Sequence, residues 1–312
     1  MTSASVWPAW EGRLACPATR APLRWTGERF DASVGGRSYP VRDGILRMAP
    51  EEAEQGFYDR HPFGPRSRAA MGEVDTRLDG ELEELLEREG VRGPVLDVGC
   101  GTGRLAIPLA KRGLKVLALD RSVVSLAFVR EACDAACVAG SALELPARDA
   151  SFPLVVCSGV IHHTRDPWRA LAECCRVAAP GGLLYLRTYN RRSLYRWIHA
   201  GPGGVLRLLA RLGPPGRILS DGLGWLPYRA MRGLTRAPAR APAEIRARYE
   251  NLILKRDISF LDRERLGRAV GIHGLVVQSL ARGGGLQGNL NLIARRPAGP
   301  AEQPVPVRAP NP

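Results

Sequence analysis

Two rhythms of apolar and polar positions alternate along this chain of 312 residues. One is the short unbroken apolar run that stops at Gly or Asp: Val95, Leu96 and Val98 ahead of a glycine cluster, then Leu114 to Asp120, then a run ending at Cys157. Such runs read as strands buried on both faces of a parallel sheet. The other rhythm is helical. Leu82, Leu85 and Leu86 share one face of a segment capped by Asp79 and stopped at Gly90, while Leu105, Ile107, Leu109 and Ala110 follow the glycines with Pro108 in the first turn. This order predicts an α/β core over roughly 91–190. The core resumes near Ile258 with a helix begun by Asp262, a strand LVVQSLA and a closing strand NLNLIARR, the whole running over 91–296.

The segments around the core follow other patterns. Residues 1–50 hold short apolar runs broken at Gly35-Gly36, a small β-rich module. Residues 51–90 give a polar, irregular stretch and then the first helix. Residues 190–257 form an insertion punctuated by Gly and Pro and rich in Arg, and the Pro-rich tail 297–312 is expected to be disordered.

The glycine cluster in VLDVGCGTGRLAIPLA carries the chemistry. Glycines between a strand and a helix let a ligand approach the backbone and meet the amides at a helix N-terminus. A phosphate loop needs Lys and Ser/Thr after its last glycine, but Arg104 and Leu105 follow Gly103. The dinucleotide fingerprint needs a third glycine where Arg104 stands. What remains is D-x-G-x-G-x-G: Asp97, Gly99, Gly101, Gly103. Asp120 ends the next strand, 23 residues past Asp97, where a carboxylate suits ribose hydroxyls. An acid before the glycines would repel pyrophosphate and suits a ligand bearing an amino group, so a cationic nucleoside fits better than a dinucleotide.

With AGSALELPARDASF, LVVCSGVIHHTRDP and RVAAPGGLLYL following in order, the stretch from about Val91 to Tyr189 resembles the class I S-adenosylmethionine-dependent methyltransferases, in particular the small-molecule "type 11" group. The resemblance implies a Rossmann-like, doubly wound, seven-stranded sheet and S-adenosyl-L-methionine as cofactor. It implies that the loop of Asp97, Gly99, Cys100, Gly101 and Gly103 takes the methionine part, that Asp120 with Arg121 takes the ribose, that Ser141, Ala142 and Leu143 flank adenine, and that Ser158 and Gly159 face the sulfonium. Two positions depart from that pattern. Ser141 stands where the family usually has Asp, and a hydroxyl can still accept one hydrogen bond. Pro153 also replaces an Asp, removing a backbone donor at a strand start, where proline is tolerated. The first 50 residues are similar to zinc-ribbon-like modules, but Thr19 occupies the second position of CPxC and the next cysteine is Cys100. A tetrahedral site needs four ligands, so the module is expected to hold no metal.

Charge changes the picture once it is divided. The net charge is +14, yet residues 1–180 carry 23 basic and 24 acidic side chains against 22 and 7 in 181–312. Residues 181–249 hold 13 arginines against Asp221 and Glu244. Mixed with Trp197, Trp225, Tyr195, Tyr228 and an apolar stripe of Leu206, Leu209 and Ala210, with Arg207 and Arg211 on another face, this region ranks first as a cap over a small lipophilic or anionic acceptor. An anionic membrane surface ranks second and RNA third. No secretory signal or spanning segment is evident, and the seven cysteines lack a disulfide spacing, which together predict a cytoplasmic protein, peripheral to the membrane if the second ranking holds.

Methyl transfer is an in-line displacement for which the protein chiefly supplies alignment and a dry site. His162 and His163 are the candidate proton acceptors, of which adjacent positions allow at most one to act; Asp166-Pro167 starts the next helix and pins them in a loop. Tyr58 and His61, in an expected lid, are weaker candidates. Cys133 and Cys137 read as four apart on a helix, and they and Cys174-Cys175 read as buried thiols. The acceptor atom stays open between oxygen, nitrogen and carbon, and a methyltransferase-like binding module without catalysis is the rival from another class.

Overall fold

The computed structural model describes residues 6–48, 78–213, 258–284 and 288–299. A 3-10 turn, Trp7–Arg13, precedes a four-strand meander of β1 (Leu23–Trp25), β2 (Arg29–Ala32), β3 (Ser38–Arg42) and β4 (Ile45–Arg47). Then come α1 (Gly80–Glu89), β5 (Val95–Val98), α2 (Ala106–Lys111), β6 (Val116–Asp120), α3 (Val123–Ala132), β7 (Ala136–Ala139) and β8 (Phe152–Ser158). The chain continues through α4 (Pro167–Val177), β9 (Ala178–Thr188), α5 (Leu194–Ala200), α6 (Pro202–Leu209), α7 (Arg263–Ile272), β10 (Val276–Arg282) and β11 (Leu290–Arg295).

Seven strands lie in the order β7-β6-β5-β8-β9-β11-β10, with β7 through β9 parallel and β11 antiparallel to both its neighbours. The direction of chain winding reverses between β5 and β8. Their carboxyl ends therefore border a crevice, the place where open α/β sheets bind ligands. Alternation sets the two faces of the sheet. Val95, Val116 and Ala118 pack with Leu82, Leu85 and Leu126 on one side, and Leu96, Leu117 and Leu119 pack with Leu171 and Leu266 on the other.

The N-terminal strands continue this sheet. β4 pairs in parallel with β7, Leu46 opposite Val138, making eleven strands in all, and Trp7 and Trp10 lie in the same buried cluster as Leu96 and Phe152. Pro153 sits where the β8–β9 register shifts, between Phe152 and Leu154, and fills the space left by Gly93, where a Cβ would come within 2.5 Å of it. A bulge is a position at which a strand can do without one ladder donor.

Local expectations are met at several points. Asp166 accepts hydrogen bonds from the Trp168 and Arg169 amides at 3.1 and 3.0 Å, and Asp262 caps α7 in the same way through Glu264 and Arg265. Three local readings need correction. Asp79 occupies the cap position of α1, but its carboxylate binds Arg104 at 2.6 Å and Arg187 at 3.3 Å, since two guanidiniums outbid an amide. Cys133 and Cys137 do not share a helix: Cys133 ends α3 and Cys137 lies in β7. On α6, Leu206 turns inward, and the exposed apolar side chains are Val205, Leu208 and Leu212. Tyr58, His61, Trp225, Tyr228, most of the basic insertion and nearly all of the tail lie outside the described residues. Among the described residues no helix is long and apolar enough to cross a membrane.

Candidate active site

The glycine loop is tied to the end of β6 by its own backbone. Gly99 and Cys100 donate to the Leu119 carbonyl at 2.7 and 3.0 Å, and Gly101 donates to Asp120 Oδ2 at 2.8 Å. The Ser122 amide donates to the other oxygen, Oδ1, at 2.9 Å. Gly99, Gly101 and Gly103 all adopt left-handed conformations, φ 70°, 54° and 92°. Gly99 is also required by closeness: a Cβ there would lie 2.4 Å from Val160, in the loop after β8.

Asp97, near the end of β5, is only 2% exposed, and its Oδ2 has no hydrogen-bond partner among the described residues. Burial, and secondarily the Asp120 charge, pushes its carboxyl up to about 7, opposed by the Ala106 amide and by Arg104. The same causes, burial first, raise the Cys100 thiol, so it is a buried neutral group. A buried carboxylate beside a second one, with an unsatisfied oxygen, is a site short of a cation or a donor.

The other sequence-predicted positions surround this loop at the carboxyl ends of the strands. After β7, the Ser141 hydroxyl accepts from the Leu143 amide at 3.2 Å, closing a turn that holds the largely buried Ala142 and Leu143. Arg121 is half-buried beyond Asp120. At the end of β8, Ser158 is half-buried, and Gly159 is exposed at φ 80° with open space where a Cβ would stand.

Beyond Gly159, a 3-10 turn, Ile161–His163, brings the histidines under a cluster of rings. His162 is 1% exposed, its Nδ1 is 3.1 Å from the Thr188 hydroxyl, and its ring stacks on Tyr189 at 3.7 Å. His163 is half-buried and meets Tyr189 edge-on at 5.6 Å. The segment 258–262 returns beside β9, with Ser259 donating to the His162 carbonyl and Leu261 to that of Tyr189, each at 2.9 Å. Phe260 thereby joins Tyr189, Tyr195 and His199 at ring separations of 5.5–5.9 Å. Arg207 of α6 donates to His199 Nε2 at 3.2 Å, so that nitrogen is unprotonated, and to the His199 carbonyl at 2.8 Å. Burial pushes the Tyr189 hydroxyl up to about 12.

A family model described as "Methyltransferase domain" matches residues 96–186. The chain is similar to the ubiquinone biosynthesis O-methyltransferase of Pseudomonas paraeruginosa, 34% identical over 136 residues, which span 40% of this chain and 57% of that one. It thus spans a little over half the length of that relative. The demethylmenaquinone methyltransferase of Renibacterium salmoninarum is 41% identical over 97 residues, 31% of this chain and 41% of that protein. The ubiquinone biosynthesis O-methyltransferase of Sodalis glossinidius is 33% identical over 191 residues, 54% of this chain and 76% of that enzyme. The chain belongs to the class I S-adenosylmethionine-dependent methyltransferases.

The residues present suit the cofactor of that family. Its amino group would supply a cationic donor to Asp97 Oδ2, and the left-handed glycine loop leaves the backbone open to close approach. Among the described residues no three His, Cys, Asp or Glu side chains gather as metal ligands. Cys16 pairs its thiol with the Tyr39 hydroxyl at 3.0 Å instead. The thiols of Cys137 and Cys175 are each pushed by burial to about 12. Sequence reasoning missed Thr188, Tyr189, His199 and Phe260. They carry no motif, and only the closing of β9 and the return of 258–262 brings them to the His pair.

Proposed function

We propose that this methyltransferase methylates an oxygen of a small, lipophilic, ring-bearing acceptor. The observation that carries the reading is the ring cluster of His162, Tyr189, Tyr195 and Phe260 at the carboxyl end of β9, on the side of the crevice opposite Asp97 and Asp120. Ring walls of this kind suit a planar apolar acceptor. The relatives, a ubiquinone biosynthesis O-methyltransferase and a demethylmenaquinone methyltransferase, favour the same acceptor class.

In this reading Asp97 receives the cofactor's amino group, and the left-handed loop of Gly99, Cys100, Gly101 and Gly103, its own amides held by Leu119, Asp120 and Cys100, lets the methionine part lie close to the backbone. Asp120, beside Arg121, accepts from the ribose hydroxyls. Ser141, Ala142 and Leu143 border adenine, and Ser158 and Gly159 border the reacting side. When bound, the cofactor supplies a methyl group on a sulfonium sulfur, which keeps the bond's electron pair and becomes a thioether. The chain seats the acceptor beside the ring cluster, excludes water, and through His163 takes the proton that the acceptor hydroxyl gives up. His162, buried under Tyr189, holds that ring in place.

The α5–α6 surface favours a membrane as the source of such an acceptor. Leu194, Trp197, Val205, Leu208 and Leu212 are each more than half exposed, and 190–213 contains five arginines and no acidic residue. Apolar side chains ringed by arginine suit an anionic lipid surface.

Calorimetry with S-adenosylhomocysteine, followed by mass spectrometry of prenylated dihydroxy-ring compounds incubated with S-adenosylmethionine, tests the proposal. Binding should occur, Asp120→Ala should weaken it by about 1.5–3 kcal/mol, and a singly methylated ether should appear. No binding at millimolar cofactor refutes the site. Binding without product on any ring acceptor leaves a non-catalytic module, and product only with RNA transfers the reading to nucleic acid.

A further inference from the structure

We infer that Arg20, Glu173 and Arg176 are positioning residues for adenine recognition, through which the N-terminal strands clamp the turn that follows β7. The inference rests on the proposal that Ser141, Ala142 and Leu143 border adenine.

The segment 143–148 has no regular structure of its own, and its backbone groups are bound from two sides. From α4, Arg169 donates to the Leu143 carbonyl at 2.9 Å, and Arg176 donates to the carbonyls of Leu145 and Ala147 at 3.1 and 2.7 Å. Glu173 accepts from the Leu145 amide at 2.8 Å. From the N-terminal strands, Ala15 donates to the Pro146 carbonyl at 3.3 Å, Leu14 pairs with Ala147 as an antiparallel bridge, and Arg148 donates to the Arg13 carbonyl at 2.8 Å.

One buried carboxylate joins the two sides. Both oxygens of Glu173 take hydrogen bonds from Arg20, at 2.7 and 2.9 Å, and both from Arg176, at 2.9 Å each. Arg20 donates further to the Leu145 carbonyl at 3.2 Å. The Glu173 side chain is 8% exposed, so losing either guanidinium leaves this buried carboxylate with one cation in place of two. Arg20 reaches this point from a left-handed backbone, φ 64°, a conformation a non-glycine residue adopts at a cost. The reason is its location in the tight turn 16–21, closed by Cys16 and Ala21 at 2.8 Å.

The clamp ends two residues from Leu143 and four from Ser141. Releasing it loosens a turn that is tied internally by the Ser141–Leu143 and Ser141–Glu144 hydrogen bonds. The methionine end of the site is held by β5 and β6 through other hydrogen bonds, those of Gly99, Cys100 and Gly101 to Leu119 and Asp120. The device should therefore act on base recognition and leave the rest of the cofactor alone.

The test compares two probes on the full chain: S-adenosylhomocysteine and its hypoxanthine analogue, in which a ring carbonyl replaces the adenine amino group. Wild type should prefer the adenine form. Arg20→Ala and Glu173→Gln should each reduce that preference about fivefold to tenfold, the worth of roughly one hydrogen bond. Arg20→Lys, which keeps the charge but not the two-pronged contact, should fall between. Glu89→Gln, which breaks the distant pair with Arg295, is the control for general destabilisation and should leave the preference unchanged. An unchanged preference in Arg20→Ala overturns the clamp while sparing the site. A preference lowered equally by Glu89→Gln overturns it too, as a stability effect. If wild type binds both probes alike, the adenine reading fails and the inference falls with it.

Discussion

The two sides of the crevice are built from different materials. On the β5–β6 side, where we propose that the cofactor binds, the backbone sets the shape: amides of residues 99–101 anchored to Leu119 and Asp120, three left-handed glycines, and two carboxylates, all within 97–122. On the β8–β9 side, rings from residues 162, 163, 189, 195, 199 and 260 make the wall, held by stacking and by two hydrogen bonds from the returning segment 258–262. A nucleoside bearing an amino group is recognised by fixed dipoles and charges, which must be preorganised and can be encoded in one short stretch. An apolar acceptor is recognised by area, which can be assembled from anywhere in the chain. The first side should tolerate almost no change, and the second should tolerate much.

The sharpest way to break that contrast is at Gly99. Gly99→Ala combines a left-handed φ with a Cβ inside the van der Waals radius of Val160, so cofactor binding should disappear in calorimetry. The denaturation midpoint should drop with a loss of about 2–4 kcal/mol. Retained binding would mean that the backbone need not approach the ligand.

Asp97→Asn sharpens the comparison electrostatically. The Asp97 carboxyl is raised to about 7 in the native chain, against an ordinary value near 3.8. Below about pH 4 it is protonated in both states. Between about 4 and 7 the unfolded chain ionises first, so this group's stabilising contribution is lost as pH rises, up to roughly 4 kcal/mol in all. The variant lacks that loss. Measured against wild type by urea unfolding, it should gain stability toward pH 8, with the difference vanishing near pH 4. Cofactor binding should move the other way: the cation favours ionised Asp97, so binding at pH 7 should release a proton, read as a buffer-dependent enthalpy. Proton uptake, or none, would remove Asp97 from the site.

Smallest is the effect on the ring side. Tyr189→Leu keeps the bulk and removes the stacking with His162 and Phe260, worth about 0.5–1.5 kcal/mol per ring pair. The KM for a ring acceptor should rise several-fold while the cofactor Kd stays fixed. A change in cofactor affinity instead would show that the two sides are one site and not two.

The charge divide between 1–180 and 181–312 teaches a related point. Arg187, Arg207 and Arg295 are drawn into specific contacts with Asp79, His199 and Glu89, so part of the basic excess is structural. Arg196, lying 6.0 Å over Trp197, belongs to the exposed apolar surface that suits lipid. Counting charges along a sequence cannot separate these uses, because a guanidinium's partner is set by what packs opposite it.

Local signals are the ones a sequence determines by itself. The strand–glycine–helix order around 95–110, the acid at Asp120, the caps Asp166 and Asp262 and the strands β5, β6 and β8 were legible, because each depends on neighbours within a few residues. The position of Cys137, the inward turn of Leu206 and the diversion of Asp79 from cap to ion pair were not. Cys137 was placed by pairing with Ala118 of β6, and Asp79 was drawn off by Arg104 and Arg187. Only the tertiary structure joined β4 to β7, brought Phe260 onto Tyr189 and set Arg20 against Glu173, 153 residues away. The physical reason is that buried rings and buried ion pairs gain their energy from what surrounds them, and surroundings at that separation leave no periodicity in the sequence.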